Sequence, residues 1–439
     1  MKKTLIIAIG IILMISQALW AETIDLDKFL DLVKLHSKDL KLAAKEQEMA
    51  DQNKKEAIST ALPKVSFQAD YTRNLTNLYM YADLGKLFGE GGGVTKFKIN
   101  RNNEYSATAA LQQTLFSATV GNAIKAARQY EQLTDNIYIA SLQKILAAAK
   151  KMFYQTLLLD KFWQVNQAAE QNALDNYESM KLKFKNGFVS EFELLQAEVR
   201  WKNSIPETAK AKRNYELALN NLKNWAGIPV ENELILNGNF DEYPVLPDTV
   251  LFESILKNRP DFNALLWEEQ LRKTNVSAKR AAYYPKLTGI FAYNYSAQSD
   301  HWKLEQDNNL YFAGVNLTIP IFTGGYLRAE VNKAQIEVDK TRVTIEKTKE
   351  DIYNEVTNVY LRLKEAHERI SSAEATLKTA KKAFKIAENT AKSGLATQLQ
   401  LKDARMGFDM ANMNYYSAIF DYLAAYFDWQ ETVGKGMSE

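Results

Sequence analysis

The side chains best suited to chemistry are few and scattered. The chain has three histidines, His36, His301 and His367, far apart in sequence. His367 lies in Glu365-Ala366-His367-Glu368, without the spaced histidine pair and intervening glutamate of an HExxH zinc protease. It reads as a solvated helix residue. Cysteine is absent, which excludes disulfides, thiolate metal sites, cysteine nucleophiles and N-terminal lipoprotein acylation. The run Leu87-Phe88-Gly89-Glu90-Gly91-Gly92-Gly93 is glycine-rich. It lacks the Lys-Ser/Thr that completes a phosphate-binding P-loop, so it reads as a flexible loop. No arrangement points to a catalytic residue, a cofactor or a metal, and the chain is not expected to be an enzyme.

With no reaction centre to explain, the elements themselves must carry the function. The 439 residues suffice for two or three ordinary domains or one long structure. A mean hydropathy of −0.34 excludes a polytopic helical membrane protein. The formal net charge is +2, and Lys2 and Lys3 are the only charges before Glu22. Without that segment the balance is zero, which argues against a nucleic-acid partner, since such a protein needs a basic face. The same segment reads as an export signal over 1–21. Lys2-Lys3 is a positive start, Thr4 to Ser16 an apolar run, and Ala18 and Ala21 are small residues suited to cleavage, with Ala21 favoured. A retained anchor is the alternative.

The rest of the chain is one unit written twice. Ser37-Lys38-Asp39-Leu40 through Pro63-Lys64-Val65 matches Arg259-Pro260-Asp261-Phe262 through Pro285-Lys286-Leu287, at an offset of 222. Leu115-Phe116 matches Ile321-Phe322 at 206, and Gly187-Phe188-Val189-Ser190 matches Gly394-Leu395-Ala396-Thr397 at 207. The drop of 16 marks a longer insert in the first half, which contains the glycine-rich loop. The first repeat is read as 22–226, the second as 248–439. The 227–247 linker, rich in Pro, Gly and Asn, is expected to be irregular.

Each repeat reads as helix, strand, loop, strand, very long helix, turn, helix. The hairpin strands fall within 63–116 and 285–322 and alternate apolar with polar residues. Val65, Phe67, Ala69 and Tyr71 oppose Ser66, Gln68, Asp70 and Thr72; Tyr105, Ala107, Ala109, Leu111 and Leu115 oppose Ser106, Thr108, Gln112 and Thr114. In the second repeat Leu287, Phe291, Tyr293 and Tyr295 oppose Thr288, Asn294 and Ser296, with Ile290 an exception. Tyr311, Ala313, Val315, Leu317 and Ile319 oppose Gly314, Asn316 and Thr318. Such runs suit an outer-membrane barrel, with one face to lipid and one to water. Four strands cannot close a barrel, and an open edge is intolerable in lipid. Several chains must then share one cylinder. An ordinary soluble sheet is the competing reading.

No Pro or Gly interrupts Tyr326 to Lys392, a helix roughly 100 Å long at about 1.5 Å per residue. Its apolar stripe, from Val331 and Ala334 to Ala387 and Ala391, steps by three and four as in a coiled coil, with a stutter at Thr348-Ile352-Val356. The first-half helix is expected from about Thr119 to Lys185. Gly187 and Gly394 are placed as C′ glycines, and Ser190 and Thr397 as N-caps of the return helices. Ser204-Ile205-Pro206-Glu207 reads as a capping box that interrupts and restarts the first return helix.

This order of landmarks resembles the TolC-type outer-membrane efflux protein family. The likeness rests on Arg259-Pro260-Asp261, Pro63-Lys64 and Pro285-Lys286, the strand exit Phe322-Thr323-Gly324-Gly325, and the turns Gly187/Ser190 and Gly394/Thr397. It spans nearly the whole chain after residue 21. The fold it implies is a mixed α and β membrane protein. Long antiparallel α-helical coiled-coil hairpins form a periplasmic tunnel, and four β-strands per chain join a shared twelve-stranded barrel in a homotrimer. It implies a location in the outer membrane, in contact with its lipid, and two partners: a periplasmic adaptor (membrane fusion) protein and an inner-membrane pump or ABC transporter. The work would be passive export of small molecules or proteins. The turn residues Gly187, Ser190, Gly394 and Thr397 become candidate adaptor contacts, as do Lys181, Lys183 and Lys185. In the family, carboxylates six and nine residues past the second turn glycine narrow the periplasmic mouth. Here those positions are Gln400 and Asp403, and the first-half counterpart of Gln400 is Glu193. A ring of Asp403 or Glu193 side chains would attract cations or hold the mouth shut. A soluble periplasmic coiled-coil spacer, without a channel, is the rival reading.

Overall fold

The computed structural model describes residues 22–82, 93–240, 242–393 and 395–435. The expected export signal, most of the glycine-rich loop and Gly394 therefore lie outside the described residues. In chain order the elements are β1 (Glu22–Ile24), α1 (Leu26–His36), α2 (Lys38–Ser59), β2 (Lys64–Arg73), β3 (Tyr79–Ala82), β4 (Thr95–Lys98) and β5 (Asn103–Phe116). Then come α3 (Ala118–Lys185), α4 (Glu191–Ala226), β6 (Leu234–Leu236), α5 (Phe252–Asn258) and α6 (Pro260–Ala281). The chain ends with β7 (Lys286–Ser299), β8 (Asp307–Thr318), α7 (Tyr326–Lys392) and α8 (Gln398–Thr432). The two longest helices, of 68 and 67 residues, are α3 and α7, as their freedom from proline predicts.

Two compact units cut across the sequence repeats. One gathers residues 47–133 and 265–343, the other 22–46, 134–264 and 344–435. The first contains the four-stranded sheet, in the order β2-β5-β7-β8 and antiparallel throughout. Its register joins the apolar positions of all four strands on one face. Phe67 pairs with Ala109, Ala109 with Tyr293, and Tyr293 with Tyr311. Val65 and Phe67 are 75% and 73% exposed, so nothing among the described residues covers this apolar face at the β2 edge. Gly289 lacks a side chain where Leu115 lies over it, 3.3 Å from where a Cβ would stand. A small core of Val276, Ala334 and Val338, with Val331 against it, joins α6 to α7.

The insert is more ordered than its glycine content suggested. β3 and β4 form a second antiparallel ladder, Tyr79 opposite Lys98 and Tyr81 opposite Lys96. Aromatic residues favour the strand, and the Lys96 ammonium sits 3.7 Å from the Tyr79 ring centroid. Asp300, just past β7, accepts bonds from Lys98 Nζ (2.9 Å), Arg101 Nη1 (2.8 Å) and the Asn102 amide (3.1 Å). These donors, Lys98 foremost, hold its carboxyl well below the usual carboxylate range.

The other unit holds the helical hairpins and the linker. Its core includes Phe29, Val33, Phe153, Leu222, Phe240 and Tyr422, all nearly inaccessible. Two expectations fail here. The linker is not wholly irregular, because β6 pairs in parallel with β1, Thr23 opposite Ile235. The first return helix is not interrupted either: α4 runs unbroken through Pro206. Ser204 does not cap; its hydroxyl donates to the Trp201 carbonyl at 2.7 Å. Aromatic stacks on both sides of the proline, Tyr177 on Trp201 and Trp163 on Tyr215, hold the helix against α3 despite the lost amide donor.

Arg259 pins the corner between α5 and α6. Its guanidinium donates to both Asp261 oxygens (3.0 and 2.6 Å), to Glu355 (2.7 Å) and to the Thr432 carbonyl (3.3 Å). Its side chain is 12% exposed. Arg259→Ala should cost roughly 2 kcal/mol, because a buried multidentate donor is lost while both acids can still reach water. Arg259→Lys should recover only part. Thermal unfolding followed by circular dichroism measures the difference; equal melting temperatures for all three proteins would refute the role.

Candidate functional site at the helical hairpin turns

Each long helix must stop and reverse at a place where the chain can satisfy its free carbonyls and amides. At the first turn, Gly187 adopts φ +76, a backbone region open to glycine at no steric cost. Its amide donates to Phe184 O and the Phe188 amide to Lys183 O, both at 2.9 Å. That pair of bonds is a Schellman ending. Ser190 then caps α4: its Oγ accepts from the Glu193 amide at 3.3 Å, and Glu193 Oε2 accepts from the Ser190 amide at 2.9 Å. At the second turn the Leu395 amide donates to Thr390 O at 3.0 Å. Thr397 Oγ1 accepts from the Gln400 amide at 3.2 Å, and Gln400 Oε1 from the Thr397 amide at 2.9 Å.

Glu193 and Gln400 therefore occupy the same position in two equivalent capping boxes. Glutamate and glutamine both accept there, which explains how one site tolerates either residue. The carboxylate of Glu193 also faces the positive end of its own helix. Asp403 differs. It stands one turn further along α8, exposed, and its charge acts on the Arg200 guanidinium of α4.

Behind the turns lies a cluster absent from the sequence-level reading. Arg405 is 7% exposed, and its Nε donates to Asp409 Oδ2 at 2.8 Å. Its guanidinium lies 5.0 Å from the Phe384 ring and 5.8 Å from Phe408, and those rings stack at 5.7 Å. Burial pushes the Asp409 carboxyl up against the pull of Arg405, and burial also lowers the Arg200 guanidinium. A cavity of about 310 Å³ opens beside them, lined by Asn176, Lys183, Arg200, Glu388, Gln398 and Arg405 among others. Asn176 Nδ2 donates to Gln398 Oε1 across it at 3.1 Å.

The repeat offset of 207 carried a signal for this cluster. It maps the Tyr177–Trp201 stack onto Phe384–Phe408, and Glu198–Lys202, an ion pair at 2.6 Å, onto Arg405–Asp409. The aromatic brace is kept in both hairpins, while the adjacent ion pair is reversed in sign. The three histidines do not converge. His36 packs its ring against Gly227, and His301 lies in the turn after β7. His367 is not the solvated residue expected. It is half-buried between Tyr243 and Tyr422, because the linker lies over it, Tyr422 Oη donating to Pro244 O at 2.7 Å.

Ser190→Ala and Thr397→Ala should each destabilise the first turn of their return helix by about 1 kcal/mol. Asp403→Ala should leave that turn within about 0.5 kcal/mol of its starting stability. Amide hydrogen exchange over residues 190–196 and 397–403 separates the two; equal loss in all three variants would contradict the capping assignment.

Comparison with known proteins gives the family. A model of the outer membrane efflux protein family matches residues 29–227 and 251–427, on either side of the linker. The alkaline protease secretion protein AprF of Pseudomonas aeruginosa is 22% identical over 248 residues, 54% of this chain and 50% of that protein. The toluene efflux pump outer membrane protein TtgF of Pseudomonas putida is 26% identical over 212 residues, 44% of this chain and 43% of that one. The chain thus spans about half the length of the curated relatives it matches. The crystal structure of the Campylobacter jejuni CmeC outer membrane channel superposes with a TM-score of 0.74 at 21% identity, covering 94% of this chain and 87% of that one. With a family match over both repeats, and the fold of such a channel, the chain belongs to the outer membrane efflux protein family.

Proposed function

We propose that the chain is one protomer of a passive outer-membrane duct, which three copies complete and through which an energised inner-membrane partner exports its cargo. The observation that carries this reading is the sheet. Among the described residues β2 and β8 are its terminal strands, each with one unpaired edge, and one face is apolar and largely uncovered. In lipid those edges must pair, and another copy of the same chain would supply matching strands. Three copies give twelve strands, above the minimum of about eight for a membrane barrel. A soluble spacer would leave Val65, Phe67, Tyr311 and Val315 in water, each more than half exposed.

In this reading the helical hairpins form the periplasmic conduit. Their turns, with Gly187, Ser190 and Thr397, are where a periplasmic adaptor docks, and a pump or ABC transporter supplies the energy. Asp403 from each copy rings the mouth. A ring of three exposed carboxylates attracts cations and slows their passage. Glu193 contributes less, since its carboxylate is engaged in the cap.

The mature chain should purify only in detergent, as a trimer by light scattering, and should conduct in planar bilayers. A monomer soluble without detergent would overturn the proposal. Asp403→Ala should raise single-channel conductance and relieve divalent-cation block, and Gln400→Glu should deepen that block only modestly, because the cap would engage the new carboxylate as it engages Glu193. Unchanged conductance and unchanged block in both would remove the aperture role while leaving the duct.

A further inference from the structure

The sheet face opposite the apolar one is not uniformly polar. Its register sets Ser66 beside Ala110, Ala110 beside Ala292 and Ala292 beside Phe312 in one row. In the next row Thr108 pairs with Asn294, and Asn294 with Leu310. Ile290 lies on the same face, its Cγ2 over Gly314. Ala110, Ile290, Ala292, Leu310 and Phe312 therefore form an apolar island. Leu310 and Phe312 are 58% and 42% exposed, whereas Ala292 is 1% exposed beneath its taller neighbours.

Toward the loop end of the strands, the same face carries two carboxylates. Asp70 is in the row Asp70–Ser106–Ser296–Asn308, and Glu104 in the row Thr72–Glu104–Gln298. These two rows contain no Lys or Arg. Asp70 accepts from Gln68 and Ser106, and Glu104 from Asn74; all three donors are neutral. Same-face rows are about 7 Å apart and strands about 4.8 Å apart. Closing the cylinder would bring another copy's β2, the strand that carries Asp70, directly beside β8.

We propose that this island and the carboxylates above it form a low-affinity wall site for amphiphilic organic cations. The cation lays its apolar body on Leu310 and Phe312 and its charge toward Asp70 and Glu104. The inference rests on the duct reading, in which this face lines the lumen. An otherwise polar wall with one apolar patch favours ligands with both characters, because it removes apolar surface from water without stripping the charge of its solvent. A purely hydrophilic cation gains only the acidic attraction.

The test is single-channel recording with tetraphenylphosphonium, and with tetramethylammonium as a small cation of equal charge. Tetraphenylphosphonium should interrupt the current at lower concentration than tetramethylammonium. Leu310→Asn with Phe312→Ser should weaken its block about tenfold, or about 1.4 kcal/mol, and leave tetramethylammonium unchanged. Asp70→Asn should weaken both. If Phe312→Ser does not assemble, Leu310→Asn alone carries the test, with a smaller shift in the same direction. Equal tetraphenylphosphonium block in wild type and variants that conduct normally overturns the wall site and leaves the duct standing. Variants that lose trimers, yet block normally in the channels that remain, overturn it too and assign the island to subunit packing. A wild type that makes no channels overturns the duct reading itself.

Discussion

A β-sheet with two unpaired edges and an apolar face has no stable state alone in a membrane. Each unmet amide or carbonyl in hydrocarbon costs several kcal/mol, and among the described residues β2 and β8 would each present a whole edge of them there. Much of the rest of the architecture follows from meeting that demand. The strands must be long enough to cross a bilayer, and β5, β7 and β8 run 14, 14 and 12 residues. In the proposed duct they would also twist into a shared cylinder. Three proposed copies would then need something that places their sets of four strands in register. In a chain where each β-hairpin is flanked by helices and runs into one of 67 or 68 residues, helix packing is the element available for that.

The helical hairpins solve a different problem by the same local means, applied twice. A long helix accumulates no strain along its length, but its end must be satisfied. Both turns use a hydroxyl N-cap followed three residues on by an amide or carboxylate acceptor. Because the cap uses Glu193 and Gln400, local folding makes the first claim on those side chains, whereas Asp403 is exposed and takes no part in the cap. The aromatic stacks deeper in each hairpin follow the same division. Tyr177–Trp201 and Phe384–Phe408 keep α3 against α4 and α7 against α8. The charges next to them were free to change sign, and did.

Much of this was legible in the residues. The duplicated Pro-Lys entries to the strands, the alternation from Val65 to Tyr71 and the run without Pro or Gly from Tyr326 to Lys392 each reflect a period or a breaker, and local sequence carries those signals directly. The failures share a cause. Pro206 reads as a breaker, yet flanking aromatic stacks across the hairpin override it. The β3–β4 ladder is held by Asp300, about two hundred residues away from Lys98 and Arg101. The β1–β6 pairing joins residues equally far apart, and the cover over His367 comes from a linker well over a hundred residues before it. Period and propensity report on neighbours in sequence; each of these features depends on a partner in space.

The same distinction bears on how selectivity can arise in such a fold. A lumen wall built from alternating strands inherits whatever the alternation leaves behind, and a single departure is repeated in every copy. Leu310 and Phe312 break the pattern at two successive positions on the polar face of β8, and Ile290 and Ala292 break it on the strand beside them. One isolated apolar residue on a polar wall alters little. Adjacent departures across paired strands, in register, make a surface large enough for one side of a small amphiphile. Repetition around a closed cylinder would turn that patch into a girdle, with the acidic rows as its rim. A duct that does no chemistry of its own can still discriminate by this means, because residence on the wall, and not entry, would then set the rate at which an amphiphilic cation leaves.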